Sequence, residues 1–217
     1  MFGRTAEMIF DDRRLAGVAL GEELLRLAPV DPLVLALPRG GVPVGYEVAR
    51  ALGCGLDVLV VRKVGVPGQP ELAMGAVGEA GVVIRNEEVI RLAGVDDETF
   101  GRVAERERQE LVRRLAAYRS VADPLDPAGT TAIVVDDGLA TGSTAMAAVD
   151  VLRRREAREV WVAVPVAPRD TAERLAQIVD RLVVLQQPRR FLAVGAWYRD
   201  FSQTSDEEVR RLLAELR

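Results

Sequence analysis

Short runs of β-branched and other apolar residues alternate along the chain with amphipathic stretches. That alternation predicts an α/β domain on a mainly parallel sheet flanked by helices. The apolar runs at 33–37, 57–61, 131–135, 160–166 and 182–185 read as strands. A first helix is expected to about Ala28, capped by Asp11 or Asp12, with Leu15, Ala19 and Leu24 turned inward. Others are expected from the turn Pro38-Arg39-Gly40-Gly41 to about Leu52, at 98–119, where Pro124 and Pro127 close it off, and at 145–155 and 170–179. Ser205 and Glu208 form a capping box for a last helix. Residues 64–81, rich in Gly and Pro, read as a long loop or a short β-hairpin. No repeat or low-complexity tract interrupts the pattern, so one domain over 1–217 is expected.

Composition narrows the chemistry. The 217 residues are 49% hydrophobic, enough for a sizeable core. A net charge of -4 and a pI near 5.2 give the surface no overall attraction to nucleic acid or an anionic membrane, so any bound anion must be held locally. No apolar run approaches the roughly 18 residues of a membrane span, and the opening MFGRTAEMIFDDRR lacks a secretion signal's apolar stretch. A soluble, cytoplasmic protein is expected. With Cys54 as the single cysteine and no histidine, disulfide frameworks, multi-cysteine zinc sites and every histidine-based triad or metalloprotease drop out. Of 29 basic residues only Lys63 is a lysine, a compact point charge where the chain elsewhere uses the planar guanidinium.

The most informative stretch is AIVVDDGLATGST at 132–144. An apolar strand runs into Asp136 and Asp137, then Gly138, then Ala140-Thr141-Gly142-Ser143-Thr144 opening a helix. Small residues, hydroxyls and a helix N-terminus make a phosphate cup of main-chain amides. Two carboxylates beside it would repel a bare phosphate unless they face hydroxyls or a cation, so the expected ligand is a ribose phosphate with Mg²⁺ nearby. A tight acidic turn capping a helix is the plainer alternative. Neither a Walker loop nor a dinucleotide fingerprint is present.

VVDDGLATGST resembles the phosphoribosyl pyrophosphate signature of type I phosphoribosyltransferases, and other landmarks of that family follow in order over roughly 33–201. The resemblance implies that Asp136 and Asp137 meet the ribose 2- and 3-hydroxyls and hold Mg²⁺, in part through water, while 140–144 grip the 5-phosphate. Arg39-Gly40-Gly41 is similar to the family's pyrophosphate loop, which implies a strained or cis peptide within 38–41. Arg62-Lys63 resembles the basic pair of adenine-type members. If Leu37, Val61 and Val135 end together at one edge, Arg39, Lys63 and the acids share one crevice.

By the same resemblance 64–81 would be a mobile lid that excludes water, with Glu71 either assisting proton movement at the base or simply solvated. Residues 186–204 would form a small hood. PRRFLAVGAWYRDF is loosely similar to the hood of hypoxanthine-guanine members, where Phe191 or Trp197 would stack on a base and Arg190 reach its exocyclic oxygen; these aromatics could equally pack the hood onto the core. Ala140 stands where hypoxanthine-guanine members carry an acid, so the acceptor stays open. The implied activity is transfer of ribose 5-phosphate from phosphoribosyl pyrophosphate to a nitrogenous base, as in nucleobase salvage, with a homodimer plausible by resemblance. The alternative is a regulatory protein of the same fold that binds the donor or a nucleotide without turnover.

Overall fold

A computed structural model describes residues 9–118 and 124–216; residues 1–8 of the opening segment and the expected end of the long helix at Arg119 lie outside them. The main sheet contains β1 (Pro32–Ala36), β2 (Leu56–Val58), β6 (Thr131–Val135), β7 (Glu159–Val166) and β8 (Arg181–Gln186), all parallel, in the order β2-β1-β6-β7-β8. Helices α1 (Arg13–Leu27), α2 (Gly41–Leu52), α5 (Ser143–Arg154), α6 (Arg169–Ala176) and α7 (Asp206–Glu215) flank it. A second, antiparallel sheet is formed by β3 (Arg62–Val66), β4 (Gln69–Val77) and β5 (Val83–Arg85), followed by α3 (Glu87–Ala93) and α4 (Asp97–Tyr118). Among the described residues no helix is long and apolar enough to cross a membrane.

The inner strands β1, β6 and β7 are buried on both faces, which is why they read as continuous apolar runs, whereas β8 at the edge is only partly covered. Val34, Ala36, Ile133 and Val135 face one core with Leu20, Val44 and Val209, while Leu33, Leu35, Ala132 and Val134 face the other with Ala148, Val149 and Leu152. Chain order reverses between β1 and β6: from β1 the chain crosses to β2 on one side, and from β6 to β7 and β8 on the other. In an open sheet such a reversal leaves a crevice at the carboxyl ends of the two strands.

Two sequence expectations need correction. The inward face of α1 is Ala16, Gly17, Leu20, Gly21 and Leu24, with Leu15 exposed and Ala19 half-buried. The glycines set that face: a Cβ at Gly17 would lie 2.7 Å from the Val44 carbonyl oxygen, so α1 meets α2 backbone to backbone where a pattern of large apolar residues does not point. The second strand ends at Val58 rather than Val61. Leu59 still donates to the Ala36 oxygen at 2.9 Å, but the Val60 amide turns to the buried Glu79 carboxylate at 3.2 Å, and the ladder with β1 stops. Arg62 and Lys63 therefore open the antiparallel sheet. The segment at 64–81 takes the hairpin form, turning at Pro67-Gly68, where Gly68 has φ 79°. Short α3, capped by Asn86, has too few residues for a legible period.

Candidate functional site

The crevice at the β1–β6 reversal is built from two loops pressed together. Leu37 donates to the Val135 oxygen at 2.8 Å, carrying the pairing one residue past β1. The Pro38–Arg39 peptide then turns cis, within the segment 38–41 where the family resemblance implies a strained or cis peptide. At Gly41 a Cβ would stand 2.6 Å from the Val135 oxygen and 2.9 Å from the Asp136 Cα; at Gly40 it would collide with Asp137 Oδ2. Only residues without side chains let this loop lie against the acid pair.

Asp136 Oδ1 accepts from the Asp137 amide at 2.8 Å, and Asp137 Oδ2 accepts from Arg13 Nε at 2.8 Å. Tyr198 donates its hydroxyl to the Asp137 main-chain oxygen. Burial, reinforced by the neighbouring Asp137 charge, pushes the Asp136 carboxyl well above the usual carboxylate range. Asp137 is also raised by burial, against the pull of Arg13. Arg13 had no sequence signal. It lies 124 positions from Asp137, in a first turn that reads as an ordinary helix start.

Beside the acids, Gly142 takes φ 72° and starts α5 with no side-chain cap, which leaves the helix N-terminus to main-chain amides. Thr141 and Ser143 place their hydroxyl oxygens 3.1 Å apart at this opening. The loop is braced from α6: Thr171, buried, donates to the Ala140 oxygen at 2.8 Å, and Arg174 reaches the Thr141 oxygen at 3.4 Å. Gly138 passes under the hood, where a Cβ would meet Val194 at 2.6 Å. Gly40, Gly41, Asp136, Asp137 and the 138–144 loop thus form one continuous surface.

Other expected residues lie around it. Arg39 turns toward α7, 3.5 Å from Asp206, and lines a cavity of about 260 Å³ with Arg113, Arg114 and Tyr118. Arg62 is held by Glu107 of α4 at 2.6 Å. Lys63 lies 3.5 Å from Glu71 across the hairpin and lines a cavity of about 550 Å³ between hairpin and α4, not the β1–β6 crevice. Phe191 and Arg189 line a cavity of about 790 Å³ with Asp170 and Glu173 of α6, whereas Arg190 is exposed. Trp197 is buried with Phe10, Ala16, Val166 and Tyr198, packing the hood onto the body. Cys54 lies outside the site, and burial pushes its thiol up to about 11.

Among the described residues no group of three or more His, Cys, Asp or Glu side chains forms a metal cage. Mg²⁺ keeps several waters and needs only one or two carboxylates when substrate phosphates supply the rest. An acid pair in which Arg13 meets only Asp137, leaving Asp136 without a cationic partner among the described residues, fits such a cation.

Residues 22–193 match the model of the phosphoribosyl transferase domain, and the chain belongs to that family. It is 45% identical to TT1426 from Thermus thermophilus, with a TM-score of 0.90 against that crystal structure over 96% of this chain and 99% of the other. A Mycobacterium tuberculosis H37Rv protein, Rv0571c, provisionally named a phosphoribosyl transferase, is 48% identical over 201 residues, 93% of this chain and 45% of its own length. The chain therefore spans about half the length of the curated relatives it matches. A hypoxanthine-guanine phosphoribosyltransferase from Bacillus anthracis shares the fold at 10% identity and a TM-score of 0.50, over 87% of this chain and 86% of that one.

Proposed function

We propose that this chain transfers ribose 5-phosphate from phosphoribosyl pyrophosphate to a nitrogenous base and releases diphosphate. The observation that carries the reading is the contact of Gly40 and Gly41 with Asp136 and Asp137 at the strand reversal, beside an α5 N-terminus without a side-chain cap. A ligand lying across it meets amides at one end, carboxylates in the middle and a glycine loop at the other. That order suits a sugar with phosphate at C5, hydroxyls at C2 and C3, and diphosphate at C1.

In the reaction the C1–O bond to diphosphate breaks with its electron pair on the leaving oxygen, a C1–N bond forms to the base, and the proton of the base nitrogen passes to the departing diphosphate or to solvent. Amides at 141–144 fix the 5-phosphate, and the acid pair orients the hydroxyls, holding C1 in line. Asp136 and Asp137 would hold Mg²⁺ in part through water, and that ion, when bound, neutralises charge on the diphosphate. Arg39 and Lys63 would add to that neutralisation. Both now face carboxylates at 3.5 Å in exposed pairs, worth about 0–1 kcal/mol each. A departing polyanion outcompetes partners that weak. Phe191 offers an aromatic face to the acceptor in the open cavity, and Trp197 is assigned to packing.

Incubation with labelled phosphoribosyl pyrophosphate, Mg²⁺ and a panel of purine and pyrimidine bases tests this. Diphosphate released only when a base is present is the expected outcome; binding without turnover would instead mark a sensor. Changing Asp136 and Asp137 together to Asn should weaken Mg²⁺-dependent donor binding by calorimetry, and unchanged affinity would remove the acids from the site.

A further inference from the structure

Arg13 reaches the site from the first turn of α1 and makes three separate contacts there. Its Nε donates to Asp137 Oδ2 at 2.8 Å, a terminal nitrogen donates to the Ser202 main-chain oxygen at 2.6 Å, and the guanidinium lies 3.9 Å from the Phe201 ring centroid. Both partners of the ion pair are largely buried. The loop at Gly40 closes the remaining side: a Cβ there would collide with the same Asp137 oxygen and sit 3.3 Å from Arg13 Nε. The Tyr198 hydroxyl meanwhile holds the main-chain oxygen of Asp137. Asp137 is thus fixed at side chain and backbone by groups from both ends of the chain.

We infer that Arg13 is a positioning residue for the donor sugar. It locks Asp137 in one orientation and neutralises it, so that the acid pair meets an anionic donor with the net charge of one carboxylate instead of two. Two uncompensated carboxylates side by side in a buried corner would repel both each other and the phosphates. The guanidinium suits the task because its planar fork serves the Asp137 carboxylate and the Ser202 carbonyl at once while its face stacks on a ring. A lysine supplies the charge without that geometry. The hood therefore contributes to donor binding through Ser202 and Phe201, which hold the arginine, and Tyr198, which holds the acid.

This inference rests on the proposed transfer reaction, and the test separates the two. Calorimetry with phosphoribosyl pyrophosphate and Mg²⁺ is run on the parent chain, Arg13→Gln, Arg13→Lys and Phe201→Leu. We expect Arg13→Gln to raise the donor Kd at least about tenfold, the scale of one charge-assisted hydrogen bond. Arg13→Lys should recover part of the loss, and Phe201→Leu, which removes the ring the guanidinium lies on, should raise the Kd by about two- to fivefold, the scale of one cation–π contact. In an Asp137→Asn background, Arg13→Gln should add less than about twofold, because the partner it acts through is already changed. An Arg13→Gln chain that binds as the parent does, or that costs the full factor again without the Asp137 charge, overturns the positioning role and leaves the transferase reading intact. A parent chain that binds no donor refutes the reading itself, and the inference with it. Should Arg13→Gln fail to fold, Arg13→Lys decides: donor affinity equal to the parent's shows that the fork geometry is not what holds the site.

Discussion

Arg13 and Asp137 meet at 2.8 Å with side chains 12% and 13% exposed, whereas Lys63 and Glu71 meet at 3.5 Å with side chains 28% and 93% exposed. Removing one partner of a buried pair leaves an uncompensated charge and costs about 3–5 kcal/mol, while an exposed pair contributes about 0–1 kcal/mol. The first pair belongs to the rigid corner where β1, β6, α1 and the hood converge. The second lies on a hairpin that leaves the parallel sheet after Leu59. The same cation–carboxylate chemistry therefore fixes one half of the candidate site and leaves the other free to exchange partners. On the proposed reaction, a donor would need both: a preformed grip on the sugar, and cations that could move onto the diphosphate as it departs.

The comparison breaks most severely at Gly41. In Gly41→Ala the new methyl group meets the Val135 oxygen at 2.6 Å and the Asp136 Cα at 2.9 Å, both main-chain atoms that cannot rotate away. We expect a stability loss of about 3 kcal/mol in a denaturant titration, at the upper end of overpacking costs, together with loss of donor binding. A variant that keeps both its stability and its affinity would show that the two loops are not pressed together in solution.

Lys63→Ala addresses the other half. Because the ion-pair partner of Lys63 among the described residues is an exposed carboxylate, stability should change by no more than about 0.5 kcal/mol. Turnover should fall by about 10²-fold, the effect of removing one preorganised charge-stabilising group. Steady-state kinetics beside a melting curve separates the two quantities, and unchanged kcat would take Lys63 out of the reaction.

How far the sequence revealed each half follows from the same contrast. The rigid corner was legible because its chemistry is local: 135–144 encode strand end, acids, glycine and helix start in one run, and β6 appears at Thr131–Val135 as expected. Arg13 was not legible. Its partners Asp137 and Ser202 lie 124 and 189 positions away, and no local pattern encodes a contact of that range. The hairpin was half-legible, since its glycines and prolines announced a turn. The end of the second strand, however, depends on one buried carboxylate, Glu79, that draws the Val60 amide away from β1. Trp197 and Phe191 were equivalent as sequence, two aromatics six positions apart. Burial separates them, one into the hood's packing and the other onto an open cavity.

The smallest effect sharpens the comparison most, because its direction distinguishes two roles for Glu71. As a proton-handling acid at the base, Glu71 would be needed for turnover, and Glu71→Gln would lower kcat. As the resting partner of Lys63, it competes with the diphosphate for the ammonium group, and its removal would leave Lys63 free to meet the donor. The geometry favours the second role: the carboxylate is 93% exposed to solvent and lies 3.5 Å from Lys63. We therefore expect Glu71→Gln to leave kcat within about twofold and to tighten the donor Kd by up to about fivefold, the full worth of an exposed ion pair near 1 kcal/mol. High salt should erase that gain, since it screens the pair in the parent chain as well. A kcat that collapses at every salt concentration would instead put Glu71 at the acceptor.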